Sequence, residues 1–228
     1  GTVNVDAGGT ITVVAAQSGV TGTAGQVELD ANGAASSIVV NDEVTTTGGA
    51  INILADDDAT FSADGDVTSG GGNVTVTGDA DAGAAGTDGA VTMADGAVID
   101  AGSGTIDIDA DEDVTLGGAT TTNATGTAVT VTSTSGGVVD GGDIDTDITA
   151  NSGTVVIDAV TGVGSADAID TQIDTLDLNN TTSGNVDINE TDALDINELD
   201  QDAAAGTVNV DAGGTITVVA AQSGVTGT

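Results

Sequence analysis

The chain consists of short segments in which apolar and polar residues alternate, separated by clusters of Gly, Asn and Asp. The clearest segments are TVNVDA from Thr2, QVELDA from Gln26, AINILA from Ala50, NVTVTG from Asn73 and TIDIDA from Thr105. AVTVTS, TVVIDA and NVDINE continue the series from Ala128, Thr154 and Asn185. Alternation over so few residues predicts strands that bury one side. The chain is therefore predicted to be all-β.

The first apolar residue of each segment recurs at a regular spacing. These residues are Val3, Val27, Ile51, Val74, Ile106, Val129, Val155, Val186 and Val208, at intervals of 22 to 32 residues. A period in the low twenties, with β-branched residues two apart, is typical of coils wound into a parallel β-helix. We therefore predict a right-handed parallel β-helix, or β-solenoid, with about eight to ten coils per repeat.

Two intervals are longer than the others because they contain additional small and polar residues. These additions lie within residues 82–90 and 160–174 and predict surface loops, or an extra partial coil. Most main segments are followed by a second short apolar run, as in TITVVAA, SIVVND, ATFSA and DVTLGG. The spacing fits two or three strands per coil.

Residues 206–228 repeat residues 1–23 without one difference, which gives a period of 205 residues. We interpret residues 1–205 as one complete solenoid repeat and residues 206–228 as the start of the next identical copy. A single coil leaves its strand edges unpaired and its apolar side open, so it becomes stable only when another coil stacks on it. Further copies joined end to end are the expected partners. Neither a basic leader followed by an apolar run nor a long apolar segment is present, so we expect no membrane insertion.

Composition restricts how such a fold is held together. The chain has no Pro, Cys, Trp or Tyr, one Phe and one Met, and 36 Gly. The core must therefore consist of Val, Ile, Leu and Ala, without disulfides or zinc–thiolate sites. Apolar residues make up 38% of the chain and occur in alternating runs, which argues against disorder.

Every charged side chain is acidic, because the chain has 37 Asp and Glu residues and no Lys, Arg or His. Salt bridges between side chains are therefore impossible. Nucleic acids and acidic membrane surfaces are excluded as direct partners, because binding them requires cationic groups. Trypsin-like proteases have no cleavage site, which suits a structure exposed outside the cell. Lateral contacts between filaments would need divalent cations to bridge the surfaces.

Catalysis is not expected from this set of residues. General acid–base and nucleophilic catalysis usually pair a carboxylate with His, Cys, Lys or Tyr, and none of these is present. Some β-helical polysaccharide hydrolases use Asp alone, so we considered the clusters at 56–58 and 143–147 as acid pairs. A near-identical array has no need of a single cleft, and sugar sites usually offer aromatic stacking. We therefore predict that the chain is not an enzyme and requires no cofactor.

Cation binding is the main alternative role for the carboxylates. Oxygen ligands clustered at turns suit Ca²⁺, although the calcium-binding nonapeptide GGxGxDx followed by an apolar residue does not recur here. A solvated acidic surface screened by Na⁺ or Mg²⁺ is the competing interpretation. The candidate cation ligands are Asp6, Asp30, Asp56, Asp57, Asp58, Asp107, Asp109, Asp111, Asp113, Asp143, Asp145 and Asp147.

Stacking also predicts which outward-facing side chains become neighbours. In the main strands, one outward row is Asn4, Glu28, Asn52, Thr75, Asp107, Thr130, Val156, Asp187 and Asn209, in which no two carboxylates are adjacent. Two positions further along each strand, Asp6 lies next to Asp30. Thr pairs such as Thr75 with Thr77 resemble ice-binding faces, but they do not align into one long array in this register.

The stretch TGVGSADAIDTQIDTLDLNNTTSGNVDINETDAL from Thr161 and the recurring TIDIDADEDVTL and TVNVDAGGTITV resemble the filamentous-haemagglutinin-like repeats of very large bacterial exoproteins. This resemblance of pattern covers nearly the whole chain. It implies a right-handed β-helix that is exported to the cell surface and used as an adhesin, fibre or shaft. We therefore expect a non-catalytic structural shaft of an extracellular fibre or giant adhesin. The alternative is a calcium-dependent adhesin repeat that itself makes contacts.

Overall fold

The computed structural model describes residues 1–15, 19–81, 89–142, 144–203 and 205–219 in full, and the backbone of residues 224–227. Every regular element in these residues is a β-strand, and the strands pair in parallel. They stack as a β-solenoid of about nine turns. The predicted all-β parallel solenoid is thus confirmed. Among the described residues there is also no helix long and apolar enough to cross a membrane.

The strands are short except where two of them run together without a break. The first twelve are β1 (Val3–Ala7), β2 (Ile11–Val13), β3 (Val20–Thr21), β4 (Val27–Ala31), β5 (Ile38–Val40), β6 (Val44–Thr46), β7 (Ile51–Ala55), β8 (Ala59–Phe61), β9 (Val67–Ser69), β10 (Val74–Thr77), β11 (Val91–Met93) and β12 (Val98–Asp100). The others are β13 (Ile106–Ala110), β14 (Val114–Leu116), β15 (Gly118–Thr120), β16 (Thr127–Ser133), β17 (Val138–Asp140), β18 (Ile148–Ala159), β19 (Ile169–Asn180), β20 (Val186–Glu190), β21 (Leu194–Gln201), β22 (Val208–Ala212), β23 (Ile216–Val218) and β24 (Gly224–Gly227).

Three strands per turn stack into three faces. Face A starts with β1, β4, β7, β10, β13 and β16, and the second halves of β18 and β19 continue it. Face B is the six-stranded sheet of β2, β5, β8, β11, β14 and β17, and face C starts with β3, β6, β9, β12 and β15. The second strands predicted after the main ones are confirmed as β2, β5, β8 and β14 on face B.

The predicted register of the main strands is confirmed as far as Val155. The pairs Val3–Val27, Val27–Ile51, Ile51–Val74, Val74–Ile106, Ile106–Val129 and Val129–Val155 all form. This stack continues through Leu176, Ile196 and Val218, and we call the whole of it the Val27 column.

The predicted step from Val155 to Val186 is wrong. Val155 pairs with Leu176, whereas Val186 pairs with Val163 and Val208 in the stack that begins with Ile11 and Ile38. We call that stack the Ile38 column. The small and polar residues 160–174 predict a loop, or an extra partial coil, and the structure contains the additional coil.

Residues 160–174 in fact contribute to the solenoid. Val163 is buried between Val138 and Val186, and β19 begins at Ile169. Ile169, Thr171 and Ile173 alternate with polar residues and point inward, which is the period expected of a strand. The other predicted loop, at 82–90, falls largely outside the described residues, and its end at Gly89–Ala90 leads into β11.

The core is a single stripe of aliphatic side chains along the axis. Inward residues such as Val27, Leu29, Ile51 and Ile53 are fully buried, and each contacts its equivalents in the turns on either side. Phe61 lies between Val40 and the turn that carries Met93. Burial of such columns contributes about 25 cal/mol per Å² of apolar surface, so stability grows with each added turn.

Candidate functional site

Most of the carboxylates occupy the outward rows of face A and the corners that flank face B. Face A carries Glu28, Asp30 and Asp107 among its outward residues, whereas face B shows Thr12, Val39, Thr60, Thr92, Thr115 and Val139 in its outward row. The acidic surface is therefore uneven around the shaft, although the net charge of the chain is −37.

Asp6 and Asp30 lie beside each other on face A, as predicted. They are register partners on β1 and β4, and Asn32 Nδ2 donates a hydrogen bond of 2.6 Å to Asp6 Oδ1. Burial raises the pKa of Asp30, and the neighbouring Asp6 and Glu28 raise it further. Two carboxylates and an amide form a pair rather than a closed cation site.

The remaining outward carboxylates of the first six turns are separated by neutral residues. Asp107 lies between Thr75 and Thr130, and Asp109 lies between Thr77 and Thr132. Burial raises the pKa of both Asp residues. The neighbouring Asp109 adds to the effect at Asp107, and a hydrogen bond from Thr132 opposes it at Asp109. The Thr-x-Thr pairs are interrupted by these Asp residues and form no continuous array.

The corner between faces A and B contains the consecutive acids Asp56, Asp57 and Asp58. Ser37 Oγ donates to Asp57 Oδ2 at 3.0 Å, and the Ala90 amide donates to Asp58 Oδ1 at 2.9 Å. These side chains thus accept hydrogen bonds from different turns. Asp56 is buried, which raises its pKa, and Asp81, Asp30 and Asp79 raise it further.

The next acidic corner is organised in the same way. Thr134 Oγ1 donates to Asp111 Oδ1 at 2.6 Å, and the Gly137 amide donates to Asp113 Oδ1 at 2.7 Å. Each carboxylate therefore accepts a hydrogen bond from the following turn and fixes the corner stacked on it. A groove of about 400 Å³ borders this corner and is lined by Glu112, Asp113, Ser135, Gly136 and Thr161.

The third candidate cluster is dispersed. Asp147 is buried and accepts a 2.7 Å hydrogen bond from the Asp170 amide, whereas Asp145 is exposed. Asp143 lies outside the described residues. Across the part of the chain that the structure describes, no three acidic side chains are grouped so that they could hold a metal ion. Calcium binding by the twelve candidates stays a prediction.

Two carboxylates that are not among the twelve candidates, Asp177 and Glu190, lie close to other polar groups. Asp177 is the register partner of Glu198, and its pKa is raised by burial, by Glu198 and by Asp158. The predicted outward row placed Asp187 after Val156, but Asp177 occupies that position. Placing residues 169–180 in a strand would have revealed this pair.

The side chain of Glu190 is buried and accepts three hydrogen bonds. Thr171 Oγ1 and the Ile173 amide donate to Glu190 Oε2 at 2.8 and 3.0 Å, and the Asp192 amide donates to Oε1 at 3.1 Å. Burial raises the pKa of Glu190, and these three hydrogen bonds oppose that effect. Because the Glu190 side chain points into the solenoid, its role is to hold the backbone of the adjacent turn through these hydrogen bonds.

The corner between faces C and A is neutral and rich in Gly in the first turns, and we call this part of it the glycine corner. It comprises residues 22–26, 47–50, 70–73, 102–105 and 121–126, none of which is Asp or Glu. A Cβ added to Gly49 would lie 2.1 Å from the Gly25 carbonyl oxygen, and one added to Gly104 would lie 2.1 Å from that of Gly72. Only Gly permits this closeness between turns.

Hydroxyl groups fix the glycine corner from inside. Thr46 Oγ1 donates to the Gly49 carbonyl at 2.6 Å, and Thr121 Oγ1 donates to the Gly104 carbonyl at 2.6 Å. Buried Ser69 donates to the carbonyls of Gly49 and Gly72. Satisfying buried carbonyls in this way keeps the uncharged corner regular.

Comparison with known proteins adds no identification. No protein-family model matches the chain, and no curated protein or solved structure is similar to it. The resemblance to filamentous-haemagglutinin-like repeats therefore depends on the sequence pattern alone.

Proposed function

We propose that the chain is a structural repeat of a long extracellular shaft, and that its role is to provide length without catalysis. The observation that carries this proposal is the stacking of the second copy on the first. β22 pairs with β20, and β23 pairs with β21, residue by residue, so the solenoid passes from residue 203 into the repeated segment with the same parallel pairing. Such a boundary lets copies follow one another indefinitely.

The surface supports the same role. Several of its carboxylates accept hydrogen bonds within the corners, and no three acidic side chains of the described residues are grouped so that they could hold a metal ion. The large net negative charge repels other shafts and keeps them separate in solution. The absence of Lys and Arg removes every trypsin-type cleavage site, which favours persistence outside the cell.

The test is to express one, two and four copies of the 205-residue repeat and to measure particle length by electron microscopy. A shaft predicts thin rods that lengthen by about 40 Å per copy, because some eight stacked turns advance about 4.8 Å each. Particles that thicken, or that form separate beads, would refute the proposal.

A second measurement addresses the alternative of an adhesin. Four-copy rods are incubated with cells and with polysaccharides, with and without Ca²⁺. A passive shaft predicts no saturable binding and no release of sugar. Saturable, Ca²⁺-dependent binding would instead favour the adhesin repeat, and sugar release would favour an enzyme.

A further inference from the structure

The two identical copies do not occupy the same columns of the solenoid. Val3 belongs to the Val27 column, whereas its equivalent Val208 belongs to the Ile38 column. Eight successive pairings lead from Val3 to Ile196 along the Val27 column, and Val208 then follows on the next face. The 205-residue repeat is therefore not a whole number of turns.

The displacement is the same for every position that can be compared. The three strands of one turn, β4, β5 and β6, supply seven inward residues in order, namely Val27, Leu29, Ala31, Ile38, Val40, Val44 and Thr46. Val3 aligns with the first and Val208 with the fourth. Ala7 aligns with the third, whereas Ala212 lies in the stack of the sixth. The second copy is thus displaced by three of the seven positions.

The second half of the repeated segment gives the same displacement. Val13 aligns with Val40, the fifth position, whereas Val218 lies in the Val27 column, the first position of the following turn. Val20 aligns with Val44, the sixth position, whereas Val225 pairs with Leu199 in the stack of Leu29, the second. Both comparisons again give a displacement of three.

Glycine packing is an independent sign of the same displacement. A Cβ on Gly25 would lie 2.4 Å from the Gly1 carbonyl oxygen, in the glycine corner between faces C and A. A Cβ on Gly206, the equivalent of Gly1, would lie 2.3 Å from the Gly184 carbonyl oxygen, in the corner between faces A and B. Gly206 of the second copy thus packs closely on Gly184 of the first copy, and this close packing lies in the corner between faces A and B.

We infer that successive copies in the array are rotated about the shaft axis by three of the seven inward positions, a little under half a turn. The partner of the edge strand Val3–Ala7 is accordingly the segment Val186–Glu190 of the preceding copy. This inference depends on the proposed tandem shaft.

Rotation changes what the shaft presents to its surroundings. The neutral glycine corner of one copy lies between faces C and A, and that of the next copy lies between faces A and B. At that second corner the earlier turns carry acids at 56–58 and 111–113. No uncharged stripe along the shaft is therefore longer than about one copy, or 40 Å. Such interruption disfavours side-by-side association of shafts.

Disulfide cross-linking in the 228-residue chain tests the displacement, because the chain has no Cys of its own. The displacement depends on Val156 lying beside Asp177, whereas copies in phase would need Val156 beside Asp187. Outward residues on adjacent strands are within the Cα separation that a disulfide requires, about 4.4–6.8 Å. We compare Val156→Cys/Asp177→Cys with the matched pair Val156→Cys/Asp187→Cys.

The inference predicts near-complete oxidation of the first pair and only background cross-linking of the second, measured by loss of free thiols. The reverse result would overturn the rotation but leave the shaft intact, because both registers stack parallel strands. Cross-linking of neither pair, in proteins whose reduced forms melt cooperatively, would overturn the rotation and the shaft together. In four-copy rods, electron microscopy should also show successive copies, about 40 Å apart, in views that differ by a little under half a turn, and equivalent views at every 40 Å would contradict the rotation.

Discussion

Asp30 is the register partner of Asp6 on the adjacent strand of face A, and both carboxylates project from the same side of the sheet. No cationic side chain exists anywhere in the chain to offset them. Neighbouring like charges on a sheet destabilise it by a few tenths of a kcal/mol to about 1 kcal/mol. The Asp6–Asp30 pair therefore lowers the stability of the folded state.

Replacing Asp30 by Asn should stabilise the protein. The substitution removes the repulsion with Asp6 and Glu28 while keeping a polar side chain of the same shape. We expect the melting temperature to rise by about 1 to 3 °C, measured by calorimetry. Asp64→Asn, at an exposed turn, is the matched control for the loss of one charge. A lower melting temperature for Asp30→Asn than for the control would mean that the Asp6–Asp30 pair binds a cation.

Stability should increase on mild acidification, in contrast to most proteins. Folding raises the pKa of Asp30, Asp56, Asp107, Asp109, Asp177 and Glu190. The folded state therefore binds more protons than the unfolded state, whose carboxyls titrate near pH 4. The resulting destabilisation is absent below that pH, grows as pH rises through the folded pKa values and is complete above them.

We accordingly expect a higher melting temperature near pH 4 than at pH 7, measured at constant ionic strength, with the rise occurring as the pH falls through the raised pKa values. The double variant Asp107→Asn/Asp109→Asn should show a shallower dependence, because two of the contributing groups are gone. A melting temperature that falls on acidification over this range would contradict the account.

Salt should stabilise the protein, and a chelator should not affect it. With one sign of side-chain charge, added NaCl screens repulsion without weakening any ion pair between side chains. We expect the melting temperature to rise between 10 mM and 500 mM NaCl.

At fixed ionic strength, EDTA should change the melting temperature by less than about 1 °C, since ordered Ca²⁺ sites would need several oxygen ligands around each ion. A larger fall with EDTA would establish ordered cation sites.

Gly49→Ala should be among the most damaging single substitutions. Its Cβ would lie 2.1 Å from the Gly25 carbonyl oxygen, so two turns must separate at the glycine corner. We expect a loss of about 2 kcal/mol or more in the free energy of unfolding, measured by urea denaturation. Gly8→Ala is the matched control, because no atom lies within 4 Å of the Cβ position there. Equal effects of the two variants would show that the corner is not closely packed.

Alternation of apolar residues was sufficient to predict the strands and most of the register. Val3 through Val155 stack as expected, because each main strand has two β-branched or aliphatic residues on one side and follows a Gly or Asn turn. Failure came at residues 160–174, where Gly, Ser and Asp surround Val163, an inward residue that pairs with Val138 and Val186 only through isolated bridges. One buried residue without alternating neighbours could not be detected, whereas Ile169, Thr171 and Ile173 do alternate and could have indicated the start of β19.

The acidic candidates could be predicted only as far as their strand register allowed. Asp6 beside Asp30 follows from the period alone, and that pairing was correct. Corner residues such as Asp57 and Asp113 depend on which donor of an adjacent turn approaches them, and corner lengths vary from turn to turn. The Asp177–Glu198 pair was missed because it follows from the misassigned segment.

Fibre diffraction from aligned four-copy rods tests the stacking of turns most directly. Coils wound around the long axis predict a strong reflection near 4.8 Å along that axis, from strands perpendicular to it. A 4.8 Å reflection at right angles to the axis, or the 5.4 Å pitch of α-helices in its place, would contradict the solenoid and the shaft built from it.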